Sequence, residues 1–180
     1  MKNLILSTIL AMTSLMSNSQ EQLIPAHIDV QEIQREFMAL YYRRADSLRH
    51  EITEDKSLLC LTQCQLSYLT NLEHISHKQE PGSVHYSLQD RFAFYYPELA
   101  GRSNTNVKIG EIISKSGTGK NLYKHNNKEL AIRLFKNFML SDGHREIMDN
   151  KEMVKVNFQV AITIFGDVLI VGVLSNQVLK

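Results

Sequence analysis

From residue 30 onward the apolar positions follow a helical period. Val30, Ile33, Phe37, Leu40, Tyr41 and Leu48 recur at spacings that keep one face apolar, with Arg43, Arg44 and Arg49 on other faces. Asp29 stands where an N-cap carboxylate would meet the free amides of the first turn. A second helix is predicted over 57–77, with Leu58, Leu61, Leu66, Leu69, Leu72 and Ile75 as its apolar face and Ser57 as its cap. Glu80-Pro81-Gly82-Ser83 breaks it. Residues 85–96 are aromatic-rich and predict a helical turn stopped by Pro97. A polar loop over 101–106, a short strand over 107–113 and a second polar loop over 115–127 follow. Residues 128–140 read as a helix burying Leu130, Leu134, Phe135 and Phe138, after which Ser141 caps a short helix carrying His144.

The C-terminal pattern changes period. Val154, Val156, Phe158, Val160, Ile162 and Ile164 alternate with polar or small residues, the signature of a half-buried strand. Gly166-Asp167 supplies a two-residue hairpin turn. The segment 168–174 is mostly apolar, as expected of a strand buried on both faces. Few strands are available, and helices precede and interrupt them. The expected fold is therefore α+β: a three-layer α/β/α sandwich around a small, largely antiparallel central sheet.

Composition narrows the function. The chain has 180 residues, 43% of them hydrophobic, enough for one domain with its own core. The formal net charge of +1 lacks the basic surplus of a nucleic-acid binder. Residues 1–19 read as a cleavable signal peptide. Lys2 gives a short positive region, an apolar stretch runs from Leu4 to Met16, and Ser17-Asn18-Ser19 gives small residues before a cut near Gln20. No other apolar run is long enough to span a bilayer. The expected location is secreted or periplasmic, with 20–34 as leader and helix start and 35–180 as the domain. Cys60 and Cys64 lie one helical turn apart, with Cβ atoms about 5–6 Å apart. A disulfide needs roughly 3.8 Å, so two buried free thiols are expected.

Three motifs, taken in order, resemble a family. Gly110-Glu111-Ile112-Ile113 resembles a Gly-Glu-Asn-Ile strand, and Phe138 to Met148 resembles a Trp-x-x-Ser-Pro-Gly-His-Arg-x-Asn-Ile-Leu motif. His85 follows a Leu-rich helix, as the first motif histidine does. With Arg44 in the opening helix and the closing hairpin, these features are similar to the CAP superfamily. Those are the SCP-like domains that include cysteine-rich secretory, antigen five and pathogenesis-related proteins, and the bacterial branch is the nearer. The resemblance spans roughly 35–176. Ile112, Phe138 and Asp142 depart from the usual Asn, Trp and Pro.

The resemblance implies a cleft built from His85, Glu111 and His144, with Ser141, Gly110 and Arg145 in support. Serine at the position of Ser141 is usual in bacterial members, where eukaryotic ones carry a second acid. Two imidazoles and a carboxylate form a sound shell for a divalent metal such as zinc, with a fourth position left for water. The same three groups could instead form a buried polar brace. The family implies cation binding in some members and no general catalytic activity. The expected role is non-enzymatic, a monomer binding a cation, a small ligand or an envelope or extracellular partner. One alternative is a metal-dependent hydrolase on His85, Glu111 and His144. Another is an envelope interaction module working through a loop near 114–127, with the cleft vestigial. Other motifs carry less. Ser116-Gly117-Thr118-Gly119-Lys120 resembles a phosphate loop, but Ser114 stands where its first glycine belongs and Asn121 where it needs Ser or Thr. His74 and His77 read as helix-terminating residues, His125 as solvated, and Phe92, Phe94, Tyr95 and Tyr96 as core.

Overall fold

The computed structural model describes residues 24–102 and 106–179. The expected signal peptide lies outside the described residues. The elements in chain order are α1 (Val30–Ser47), β1 (Thr53–Glu54), a 3-10 turn (Lys56–Leu58), α2 (Leu59–Leu69), α3 (Leu88–Tyr95), α4 (Pro97–Ala100), β2 (Ile109–Lys115), a 3-10 turn (Gly119–Lys124), α5 (Asn127–Leu140), α6 (Asp142–Asp149), β3 (Lys155–Ile162) and β4 (Val168–Ser175). Four strands form one sheet in the order β1-β3-β4-β2. The β3–β4 and β4–β2 pairs are antiparallel, and the two-residue β1 runs parallel to β3.

Alternation along β4 builds the layers. Val168, Ile170 and Leu174 face α1 and α5, joining Ile33, Phe37, Leu134 and Phe138 in the main core. Leu169, Val171 and Val173 face the other way, against α2 and the segment that follows it. This is the expected three-layer α/β/α sandwich with a largely antiparallel sheet. Each large apolar side chain fully buried this way contributes about 1.5–3 kcal/mol relative to exposure.

Several boundaries differ from the sequence pattern. The Asp29 carboxylate caps α1, accepting from the amides of Gln31 and Glu32 at 2.8 and 3.3 Å. The second helix is shorter than 57–77, since α2 stops at Leu69. Leu72 keeps helical spacing but packs on the sheet side from an irregular segment, and Ile75 is exposed. Asp55, rather than Ser57, caps the entry, accepting from the Ser57 amide. Cys60 and Cys64 are both free, and Cys60 is exposed rather than buried. The reason is rotational: Leu58 and Leu61 turn toward the sheet, which leaves Cys60 on the outer face. The β3–β4 connection is longer than two residues. Thr163 to Asp167 form a closed turn in which the Thr163 amide donates to the Asp167 carbonyl at 2.8 Å. Gly166 takes a positive φ of 81° there.

Candidate functional site

The candidate site lies at the open edge of the sheet, along β2. Glu111 pairs with Val173 of β4. By strand alternation it shares the face of Ile113, toward α2 and α3. It is only 6% exposed, so its charge needs partners. It has two. His77 Nδ1 donates to Oε1 at 3.0 Å. Arg91, projecting from α3, donates through a terminal nitrogen to Oε2 in a very short contact. Arg91 is itself fully buried, and its other terminal nitrogen donates to the His85 carbonyl at 3.2 Å.

The second imidazole arrives from the opposite side of the chain. The amide of Ser141 donates to the Phe138 carbonyl as α5 ends, and α6 begins at Asp142. Helix α6 then runs against the β2 edge. Gly110 permits this approach, because a Cβ there would stand 3.0 Å from Ile147 Cγ2. Arg44 of α1 fixes the far end of α6, donating to both oxygens of Asp149 at 3.1 and 2.6 Å. The result sets the His144 ring 6.1 Å from the His77 ring, centre to centre, and edge-on to Phe138 at 5.3 Å.

Burial, and then the nearby positive charge of His77, lower the His144 pKa below its ordinary value. The folded state thus favours the neutral ring. The stabilisation is complete above the unfolded value of 6.5, and acidification below it weakens the fold through this group.

The structure therefore brings Glu111 and His144 into one group, with His77 as the histidine on the carboxylate. His85 takes a different place. Its ring stacks on Tyr95 at 5.6 Å and meets Phe94 edge-on at 4.6 Å, and only its backbone carbonyl reaches the Arg91 network. Its Nε2 is buried with no hydrogen-bond partner. Ser141 sits at the N-cap of α6, yet its side chain makes no capping hydrogen bond there. Arg145 bridges the helix corner, donating to Asp142 at 2.6 Å and to the Met139 carbonyl at 3.1 Å. Of the aromatic run, Phe92, Tyr95 and Tyr96 pack on the α2-side core, whereas Phe94 is exposed.

Two contributors are missed by sequence reasoning. His77 was hidden by the over-long second helix. Arg91 carried a readable signal: Leu88, Arg91, Phe92 and Tyr95 fall at i, i+3, i+4 and i+7, which puts a guanidinium on the apolar face of a helix. A charge so placed needs a buried counter-ion.

Beside the carboxylate lies an open cavity of about 280 Å³, lined by His77, Lys78, Ser87, Gln89 and Gly110 among others. The donor set does not fit a three-ligand metal centre. Both oxygens of Glu111 are engaged, and among the described residues no three His, Cys, Asp or Glu side chains are grouped to hold an ion. Two imidazoles remain. On one tetrahedral zinc, with Zn–N near 2.0–2.1 Å, ring centres would lie roughly 5 Å apart, so the rings, 6.1 Å apart here, would have to move about 1 Å closer.

Comparison with protein-family models and with curated proteins gives no match. Among solved structures the chain is similar to an outer surface protein from Borrelia burgdorferi, with a TM-score of 0.61 and 16% identity over 82% of this chain and 95% of that one. That likeness is one of fold, an α+β sandwich. No helix among the described residues is long and apolar enough to cross a membrane.

Proposed function

We propose that this chain is an exported, non-enzymatic SCP-like domain of the CAP superfamily's bacterial type, whose His77 and His144, held beside the Glu111–Arg91 pair, bind a cation or a small polar ligand. The observation that carries the proposal is the engagement of Glu111. Arg91 and His77 each hold one of its oxygens, so the carboxylate is tied into a buried ion pair and positions a histidine. The two imidazoles remain for a ligand, and His77 also lines the adjacent cavity. Placement in the bacterial envelope or outside the cell draws support from the N-terminal pattern and from the outer surface protein that shares the fold. Hydrolysis on His85, Glu111 and His144 would need the His85 ring at the carboxylate, and that ring lies instead against Phe94 and Tyr95.

Zinc serves as the probe. Calorimetric titration of the chain begun at Gln20 is expected to show saturable binding. His77→Ala and His144→Ala each abolish it, and His85→Ala retains it. A flat titration of the unsubstituted chain would refute cation binding at this cleft. Unchanged binding in both the His77 and His144 variants would remove the cleft as the site.

A further inference from the structure

The opposite end of β2 carries a second surface, independent of the cleft. Residues 115–128 contain Lys115, Lys120, Lys124 and Lys128 and no acidic residue. Lys115 is committed to Asp167 at 3.4 Å. Lys120, Lys124 and Lys128 are exposed, and among the described residues no carboxylate pairs with them. Leu122 is buried in the core and anchors the 3-10 turn, which leaves Tyr123 outside with Lys124 Nζ 5.5 Å from its ring centre.

The β3–β4 turn stands beside this lysine-rich segment. The Gly119 amide donates to the Asp167 carboxylate at 2.8 Å, and the Thr118 hydroxyl donates to the Gly166 carbonyl at 3.2 Å. At the tip Ile164 and Phe165 are 58% and 39% exposed. This exposure is built in. The Ile164 amide donates to the Thr70 carbonyl, and the Phe165 and Asp167 amides donate to the Thr163 hydroxyl, so the turn is fixed both internally and to the segment after α2. Asp167 is buried and bonded, and Glu129 faces His125 at 3.7 Å, so neither acid forms an ion pair with Lys120, Lys124 or Lys128.

We propose that this end of the molecule docks on a bilayer surface bearing anionic headgroups. Ile164 and Phe165 enter the interface, Tyr123 lies at headgroup depth, and Lys120, Lys124 and Lys128 meet phosphates. Exposed apolar side chains on a turn that is hydrogen-bonded to a segment of exposed, long-stemmed lysines suit a lipid interface. A protein partner would need a broader apolar centre than two side chains on a turn provide. Each lysine near an anionic surface favours binding by roughly fivefold.

The test is flotation of the chain begun at Gln20, which keeps every described residue, with two kinds of vesicle. One is phosphatidylcholine alone and the other is phosphatidylcholine mixed with phosphatidylglycerol. Retention is expected on the mixed vesicles, weakening as salt rises. The combined change Lys120→Glu, Lys124→Glu and Lys128→Glu is expected to lower it more than tenfold. Ile164→Ser with Phe165→Ser is expected to lower it severalfold, and Lys151→Glu, in the turn before β3 at the far end of the sheet, to leave it unchanged. No retention on the mixed vesicles, retention independent of phosphatidylglycerol, or undiminished retention in the triple-lysine variant would overturn the proposal. So would preferential binding of soluble polyglutamate over the mixed vesicles, which would point to an acidic polypeptide.

Discussion

Gly172→Ala is expected to destabilise the fold by about 3 kcal/mol or more, at the upper end of the cost of overpacking a core. Gly172 sits in the middle of β4, opposite Ile112 on one side and Phe158 on the other. The Phe158 ring lies flat across it, and a Cβ at position 172 would stand 2.2, 2.5 and 2.9 Å from three ring carbons. The ring has nowhere to go. Phe37 packs on it at 4.9 Å and Tyr41 edge-on at 5.7 Å, and all three residues are essentially buried. A strand-interior glycine usually weakens a sheet, and the aromatic ring covering it offsets that loss. Urea denaturation gives the measurement. Combining Gly172→Ala with Phe158→Leu should recover part of the loss, because the smaller side chain vacates the contested space. A single Gly172→Ala variant unfolding at the wild-type midpoint would show that the ring does not occupy this position.

Glu111→Gln is expected to cost about 3–5 kcal/mol, the usual penalty for leaving one member of a buried ion pair uncompensated. The substitution preserves shape and removes the charge that Arg91 requires. Arg91 is fully buried, and its Nε already lacks a hydrogen-bond partner. Arg91→Met should cost a comparable amount, because it strands the carboxylate with only His77. The double variant Arg91→Met with Glu111→Leu should recover most of the stability, since an apolar pair of similar volume carries no desolvation penalty. Glu146→Gln, on the exposed face of α6, should fall within about 0.5 kcal/mol of wild type. Equal melting of Glu111→Gln and Glu146→Gln would rule out the Arg91 pairing.

How much of this could be read in advance depended on period. The alternation from Val154 to Ile162 located β3, and the unbroken apolar run placed β4 at the centre of the sheet, where both faces are covered. The α1 and α5 stripes were legible for the same reason. β1 was not, because two exposed residues carry no periodicity. The end of α2 was obscured because Leu72 and Ile75 continue the helical spacing beyond the point where the chain leaves the helix. At the site, Glu111 and His144 were legible as residues. Which histidine meets Glu111 was not, since that depends on where the segment after Leu69 returns across the sheet. Arg91 shows how the gap could narrow: a lone cation on an aromatic helical face predicts a buried acid, and β2 offers Glu111.

The central claim is that segments around residues 77, 111 and 144 meet at one edge of the sheet. NMR titration of the histidine ring signals in the wild-type chain and in His77→Gln tests it most directly. His144 should titrate below the ordinary value of 6.5 and move upward when His77 is replaced. An ordinary His144 midpoint, indifferent to the loss of His77, would contradict the convergence.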